Sequence, residues 1–502
     1  MRIPLDPPPG LWAEDTSFTS AGRWGDGSNV RFWRGRPQVI GGWERLTDQT
    51  LTGVCRGAFG WTDRAGVQTF AFGTHLGLHI WRGGGLYTVS PAGLASGLLD
   101  GVGGQGFGTG TYSSGKFSEP ASGDTFPRTW SFGAWGETLL ASPRGGSLYA
   151  WANDPGALAT AVVGAPSQIT QILTAPTDQV FALGCNEEVS GVFNPLCLRH
   201  SSVRKSSEWT TGTATTAREY ILPGGGRIVG GRVIGAYLLV WTNHALFLGR
   251  FIGSVGQPWR FERVGERCGL IGPQAAVVSG QTAYWLGPDL QFYRYDLGGA
   301  AEVLPCSVRR DVVENLAASQ GDKICASTTS LFGEVRWDYP DQRDGVENSR
   351  YVLFSTLDGA WSRGDMARTA MIDAGPAAYP VGVDPQGAVY YHERGHSADG
   401  AAFSWFIETA DQVLDEDRTV MARGIWPDLA DQAGPVRLSL FSRLTPQGDV
   451  AVSGPFALAP GQDRVDFRAT GRLFKIRFAG GSAPTACRIG KPVFNVAVAG
   501  AR

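Results

Sequence analysis

Two histidine pairs, His75 with His79 and His392 with His396, have the i, i+4 spacing that zinc sites use, and Glu393 stands inside the second pair. That chemistry needs a helix, because helical spacing is what brings both imidazoles onto one face. Gly77 interrupts the first pair, Gly395 interrupts the second, and strand-like runs surround both. They therefore read as solvent-facing turn histidines, and no metal site is expected. Gly83-Gly84-Gly85 and Gly224-Gly225-Gly226 lack the Lys and Ser/Thr of a phosphate-binding loop and read as hairpin turns. There is no G-x-S-x-G elbow to anchor a nucleophilic serine. Glycoside cleavage needs two carboxylates about 5–10 Å apart. Asp411 with Glu416, and Glu302, are the acidic candidates, and no spacing singles them out. No catalytic residue or cofactor is expected, and the chain is not read as an enzyme.

The densest chemistry lies at 22–43, where Trp24, Trp33 and Trp43 are interleaved with Arg23, Arg31, Arg34 and Arg36 around Val30-Arg31-Phe32-Trp33. Arginine over an aromatic face suits either packing or a nucleic-acid stacking surface. Two-sided aromatic strands are usually buried, which favours packing. Trp24, Arg31, Phe32, Trp33, Arg34 and Trp43 are thus candidate assembly contacts. Glycine at this density does not fit a helix, since each interior Gly costs about 0.5–1 kcal/mol relative to Ala. A short strand or hairpin between turns must position these side chains.

The rest of the composition agrees. Gly 71 and Pro 29 are high in a chain of 502 residues, and charged residues make only 18%. Trp 17, Phe 25 and Tyr 13 supply apolar mass suited to pleated surfaces. A net charge of -2 is not the footprint of a stable nucleic-acid binder. Seven scattered cysteines without a C-x-x-C pair read as buried reduced thiols, although Cys185 and Cys197 could bridge a loop. No secretory leader or membrane-spanning run is expected.

Along the chain, residues 1–50 read as an extended arm ending in the tryptophan-rich segment. Aromatic strand groups then recur from 51 to 400, as in Gln68–Thr74 with Leu78-His79-Ile80-Trp81 and in Tyr237–Trp241 with Ala245–Leu248. A spacing of roughly 40–50 residues suits propeller blades. The expectation is an all-β chain: a β-propeller of about six blades, with a β-sandwich pair as the alternative. Insertion loops are expected near 101–127, which is glycine-rich, and 165–220, which contains the Ser/Thr-rich stretch 201–216. A helix is expected at about 307–318, with Val308, Val312 and Leu316 on one face and Ser307 as its cap. From 401 to 502, period-two runs such as Val436–Phe441 and Leu473–Phe478 indicate a separate antiparallel β-rich region.

Several of these stretches resemble one family. Trp24-x-Asp26-Gly27-x-Asn29-Val30-Arg31-Phe32, followed by Gly41-Gly42-Trp43, resembles the N-terminus of tail nozzle proteins of short-tailed bacteriophages. Gly106–Tyr112, Trp130-Ser131 with Trp135-Gly136-Glu137, Pro143–Trp151, Ala283–Gly287 with Phe292–Asp296, Gly471–Phe478 and Cys487–Gly490 are similar to later parts of it, in the expected order. The 165–220 region departs from the pattern, as does Asn495, where Asp is commoner. The resemblance implies a structural virion protein: a homohexameric nozzle below the portal and adaptor rings, assembled in the host cytoplasm. Such a ring extends the DNA-ejection channel, passes double-stranded genomic DNA transiently, and carries tail fibres or a needle. It transfers no catalytic or binding residue. On this reading the 1–45 arm clips onto a neighbouring subunit or adaptor, and its removal leaves a folded propeller. The alternative is a carbohydrate-binding or glycan-cleaving propeller at a virion or cell surface. Ser355–Trp361 is loosely similar to the Asp-containing turn of sialidase-like folds, but Asp358 falls one place late and the motif does not recur.

Overall fold

Glycine- and Asx-bounded aromatic runs form short strands throughout the chain. The computed structural model describes all residues except 15, 17, 103–124, 225, 255, 416–417 and 501–502. Seven four-stranded antiparallel sheets span 55–88, 130–161, 169–221, 228–266, 276–303, 325–365 and 370–392, the last completed by Trp43–Arg45. The first strand of each sheet packs against the first strand of the next, and that of the seventh packs against that of the first. This ring defines an all-β, propeller-like architecture. About six units were expected and seven sheets are present. The weak repeat near 388–391 is a sheet of its own whose fourth strand comes from the opposite end of the chain, with Trp43 opposite His392 and Arg45 opposite Tyr390.

Buried tryptophans wedge the sheets together because an indole offers a large apolar body and one donor. Trp130 Nε1–H donates to Thr74 O in the first sheet at 2.8 Å, Trp259 to Gln179 Oε1 in the third at 3.0 Å, and Trp337 to Ala275 O beside the fifth at 3.2 Å.

The stretch expected to be an insertion at 165–220 is instead the third sheet. Gln179–Asn186 is buried along its whole length. The Ser/Thr-rich part connects two strands, and its hydroxyls accept backbone N–H groups: Ser202 Oγ takes those of Thr216 and Ala217, and Ser201 Oγ that of Val180. The other expected insertion, 101–127, falls mostly outside the described residues, as does the Gly106–Tyr112 motif. Its ends are tied down by Val102 N–H to Thr125 O, Arg128 N–H to Leu98 O, Lys323 to Asp100, and Phe126 between the guanidinium groups of Arg144 and Arg227. The helix is α1, Arg309–Asn315, with Val308, Val312 and Leu316 all buried. Ser307 does not cap it, because its hydroxyl donates to Leu11 O.

The remaining strands form three further antiparallel sheets, and each recruits the N-terminus. We label the N-terminal strands β1 (Arg2–Pro4), β2 (Trp24–Ser28), β3 (Val30–Trp33), β4 (Arg36–Val39) and β5 (Trp43–Arg45). β1 pairs with Val493–Gly500, β2 with Phe406–Thr409, and β4 with Ala486–Ile489. Residues 1–50 are therefore not a free arm, and 401–502 is not a self-contained region. The largest core cluster runs from the fourth, fifth and sixth sheets into these C-terminal sheets.

Candidate functional site

The 22–43 segment lies at the junction of the ring and the C-terminal sheets. Asp26 Oδ1 accepts from its neighbour Gly27 N–H and from Arg363 of the sixth sheet, both at 2.7 Å. A Cβ at Gly27 would come within 3.2 Å of Leu11 and of Phe406 O, which explains the glycine. Asn29 turns the chain between β2 and β3 at φ +58°, a left-handed conformation that Asn tolerates better than most residues. Its amide donates to Ser404 O at 2.8 Å and Asp365 O at 3.3 Å, and its oxygen accepts from the Tyr351 hydroxyl at 3.1 Å. One side chain thus joins the sixth sheet to the C-terminal sheets.

Arg31 is 2% exposed and holds two carboxylates, Glu334 at 2.9 Å and Glu393 at 2.5 Å, while its guanidinium covers the Phe332 ring at 3.7 Å. Glu393, at φ +59°, also accepts the Gly41 N–H at 3.0 Å. Arg336 grips Asp338, and Arg368 Nε–H donates to His392 Nε2 at 2.8 Å. Burial pushes the Glu334 carboxyl up to about 7, against the pull of Arg31. Burial opposes the Arg31 charge, yet the two carboxylates outweigh it and raise its pKa. Burial, with Arg368 and Arg336 beside it, holds His392 well below its ordinary value, so the ring is neutral and can accept from Arg368. Burial lowers Arg368 to about 10, and Arg336 adds to that. The space enclosed among Arg31, Glu334, Arg336, Tyr351 and His392 is about 10 Å³, room for one water at most. This cluster is a clasp between elements and has no room for a ligand.

The six candidate assembly residues fall into two groups. Trp24 and Phe32 are 1% exposed and Arg31 is buried with them, so their partners are within the chain. Trp43 stacks on His392 at 5.9 Å and packs on Phe403. Trp33 and Arg34 reach the surface, with the Arg34 guanidinium 4.3 Å over the Trp33 ring. No surface formed by all six exists for a neighbour to bind. The physical reason is that β2 to β5 each find a sheet partner in their own chain.

The other sequence candidates are also placed. Two of the four histidines are not the solvent-facing turn residues expected: His79 and His392 are buried in strands Leu78–Arg82 and Val389–His392, where cross-strand neighbours cover them, with His79 between Thr88 and Thr52 O, while His75 Nδ1 accepts Val54 N–H at 3.0 Å. Among the described residues no group of three or more His, Cys, Asp or Glu could hold a metal ion. Asp411 is buried against Arg443, Glu302 pairs with Arg294, and Glu416 lies outside the described residues. Asp358 accepts Gly35 N–H at 3.1 Å, so the turn at 355–361 supports the tip between β3 and β4. Gly83 and Gly84, both at positive φ, form the expected hairpin turn, whereas Gly224 and Gly226 lie between the third sheet and the fourth and not within a hairpin. All seven cysteines are free; Cys185 and Cys197 face each other with sulfurs 3.9 Å apart. Glu334 was not visible as a functional residue in the sequence, and Glu393 was visible only as the acid between two histidines.

No family model matches the chain, and no curated protein matches it. Among solved structures, the chain is similar to the computationally designed Ika8 protein, with TM-score 0.40 and 10% identity over 76% of this chain and 98% of that one. It is also similar to BBS1N, solved in complex with ARL6DN, with TM-score 0.39 and 10% identity over 72% and 98%. These values carry no argument; the architecture rests on the strand pairing above. No helix among the described residues is long and apolar enough to cross a membrane.

Proposed function

We propose that this chain is a structural subunit of a short bacteriophage tail, of the nozzle type, present as a homohexameric ring in the virion. The observation that carries the reading is the motif at 24–43. Its residues resemble the family's opening segment, and Asp26, Asn29, Arg31 and Trp43 each tie the ring to another part of the chain, Trp43 through Phe403. A subunit under mechanical load needs such ties, because relative motion of its parts would otherwise open the wall. The ring of subunits extends the ejection channel below the portal and adaptor, carries fibres or a needle, and is put together in the host cytoplasm. Its net charge of -2 limits electrostatic trapping of passing duplex, whose affinity grows with each phosphate contact. Contacts between subunits then fall on surfaces other than Trp24, Arg31 and Phe32.

Quantitative mass spectrometry of purified virions tests this. About six copies beside twelve of the portal support the ring. Absence from the particle overturns it and leaves the alternative of a glycan-binding or glycan-cleaving surface protein.

A further inference from the structure

A cleft of about 390 Å³ lies between the second and third sheets. Its walls are the turn Ala134-Trp135-Gly136, the turn Thr174-Ala175-Pro176 with Asp178, and Arg204. Trp135 belongs to the Trp-Gly-Glu motif noted in the sequence and has no part in the clasp. It is half-buried, packed on the cluster of Leu140, Ile172 and Val180 while also bordering the cleft. Gly136, at φ +62°, keeps the rim low, and an added Cβ there would meet nothing. Asp178, at φ +55°, and Arg204, at φ +60°, are held together by Arg204 N–H to Asp178 O at 2.7 Å and by their side chains at 3.4 Å.

We propose that this cleft binds a neutral saccharide. A sugar ring has an apolar C–H face and a rim of hydroxyls that both donate and accept. The cleft offers the counterpart of each: an indole with Ala134, Ala175 and Pro176 for the C–H face, and around it acceptors on Asp178 and donors on Arg204 and Thr174. The ion pair decides the class of ligand. Arg204 is compensated by Asp178, so the cleft holds no net positive charge to attract phosphate or nucleic acid, and Asp178 repels an anion directly. The proposal does not depend on the tail assignment, which the virion count tests separately.

Saturation-transfer NMR on the intact chain tests it, with neutral hexasaccharides of glucose, galactose, mannose and N-acetylglucosamine as probes and a heparin hexasaccharide as the anionic control. The expected result is transfer to at least one neutral probe, with affinity reduced about tenfold or more in Trp135→Ala. Because Trp135 also packs on the core, Asp178→Gly and Arg204→Gly, both at exposed positions whose positive φ suits glycine, provide the test if that variant fails to fold. They should weaken binding while leaving the melting curve unchanged. Transfer to none of the neutral probes, equal binding by the variants, or preference for the heparin fragment overturns the proposal.

Discussion

Replacing Glu334 by Gln isolates the electrostatics of the clasp, because Arg31 keeps Glu393 as its partner. The Glu334 carboxyl stands at about 7 in the folded chain, against its ordinary value of 4.5 when unfolded. A folded value above the unfolded one means that the native state holds the proton longer, so stability is fully present below about pH 4.5 and falls as pH rises to about 7. At 1.36 kcal/mol per unit, the cost accumulated between pH 5 and pH 8 is about 2.5 kcal/mol. Glutamine carries no such cost. The two proteins should therefore melt together at pH 5 and separate at pH 8, with the Gln variant the more stable. Unfolding entropy of about 2.1 cal/mol/K per residue over 502 residues turns that gap into about 2–3 °C. Differential scanning calorimetry of both proteins at both pH values reads it, and other titrating groups cancel in the difference. A Gln variant that melts lower at pH 8 would refute the reasoning, since the Arg31 pair would then outweigh the burial of Glu334.

Three other outcomes follow from the same geometry. Deleting residues 1–45 should leave an aggregated or poorly folded chain, because β5 completes the seventh sheet; a soluble product with a sharp melting transition would contradict this. Asn29→Ala should lower stability by about 2–4 kcal/mol through lost hydrogen bonds and strain at φ +58°, with Asn29→Gly about 1 kcal/mol milder, as read by thermal unfolding. Burial pushes the Cys268 thiol up to about 11 and those of Cys55 and Cys487 to about 12. A thiol reagent at pH 8 should accordingly label Cys306 at most in the native chain and all seven cysteines after denaturation; rapid native labelling of two or more would count against the described packing.

The turn-bounded strands were legible because their signals are local. Gly83-Gly84 between Leu78–Arg82 and Gly85–Thr88 is visible as a hairpin without any tertiary knowledge. Val308, Val312 and Leu316 marked a helix for the same reason. The seventh sheet was not legible as a unit, because its outer strand lies more than three hundred residues upstream of the strand it pairs with. Arg31 was noticed for its company of aromatics, yet its meaning depends on Glu334 and Glu393, which no local pattern connects to it. Ser201–Thr216 misled in the opposite direction. A polar run suggests solvent, but hydroxyls that accept backbone N–H groups can serve inside a sheet connection as well.

The pairing of β1 with Val493–Gly500, register Arg2 with Asn495, fixes an order of events during synthesis. At roughly 5–20 residues per second, the stretch between Arg2 and Asn495 takes about 25–100 s to translate, and through that time β1 has no partner. The first through sixth sheets can zip up sequentially as they emerge from the ribosome, since each uses neighbouring strands. Closure of the ring waits for residue 392, and the last sheets wait for the final strand. A ribosome that stalls late would therefore hold a nascent chain with five or more finished sheets and an unsatisfied, aromatic-rich leading end, the state most exposed to chaperones and to pairing with another copy.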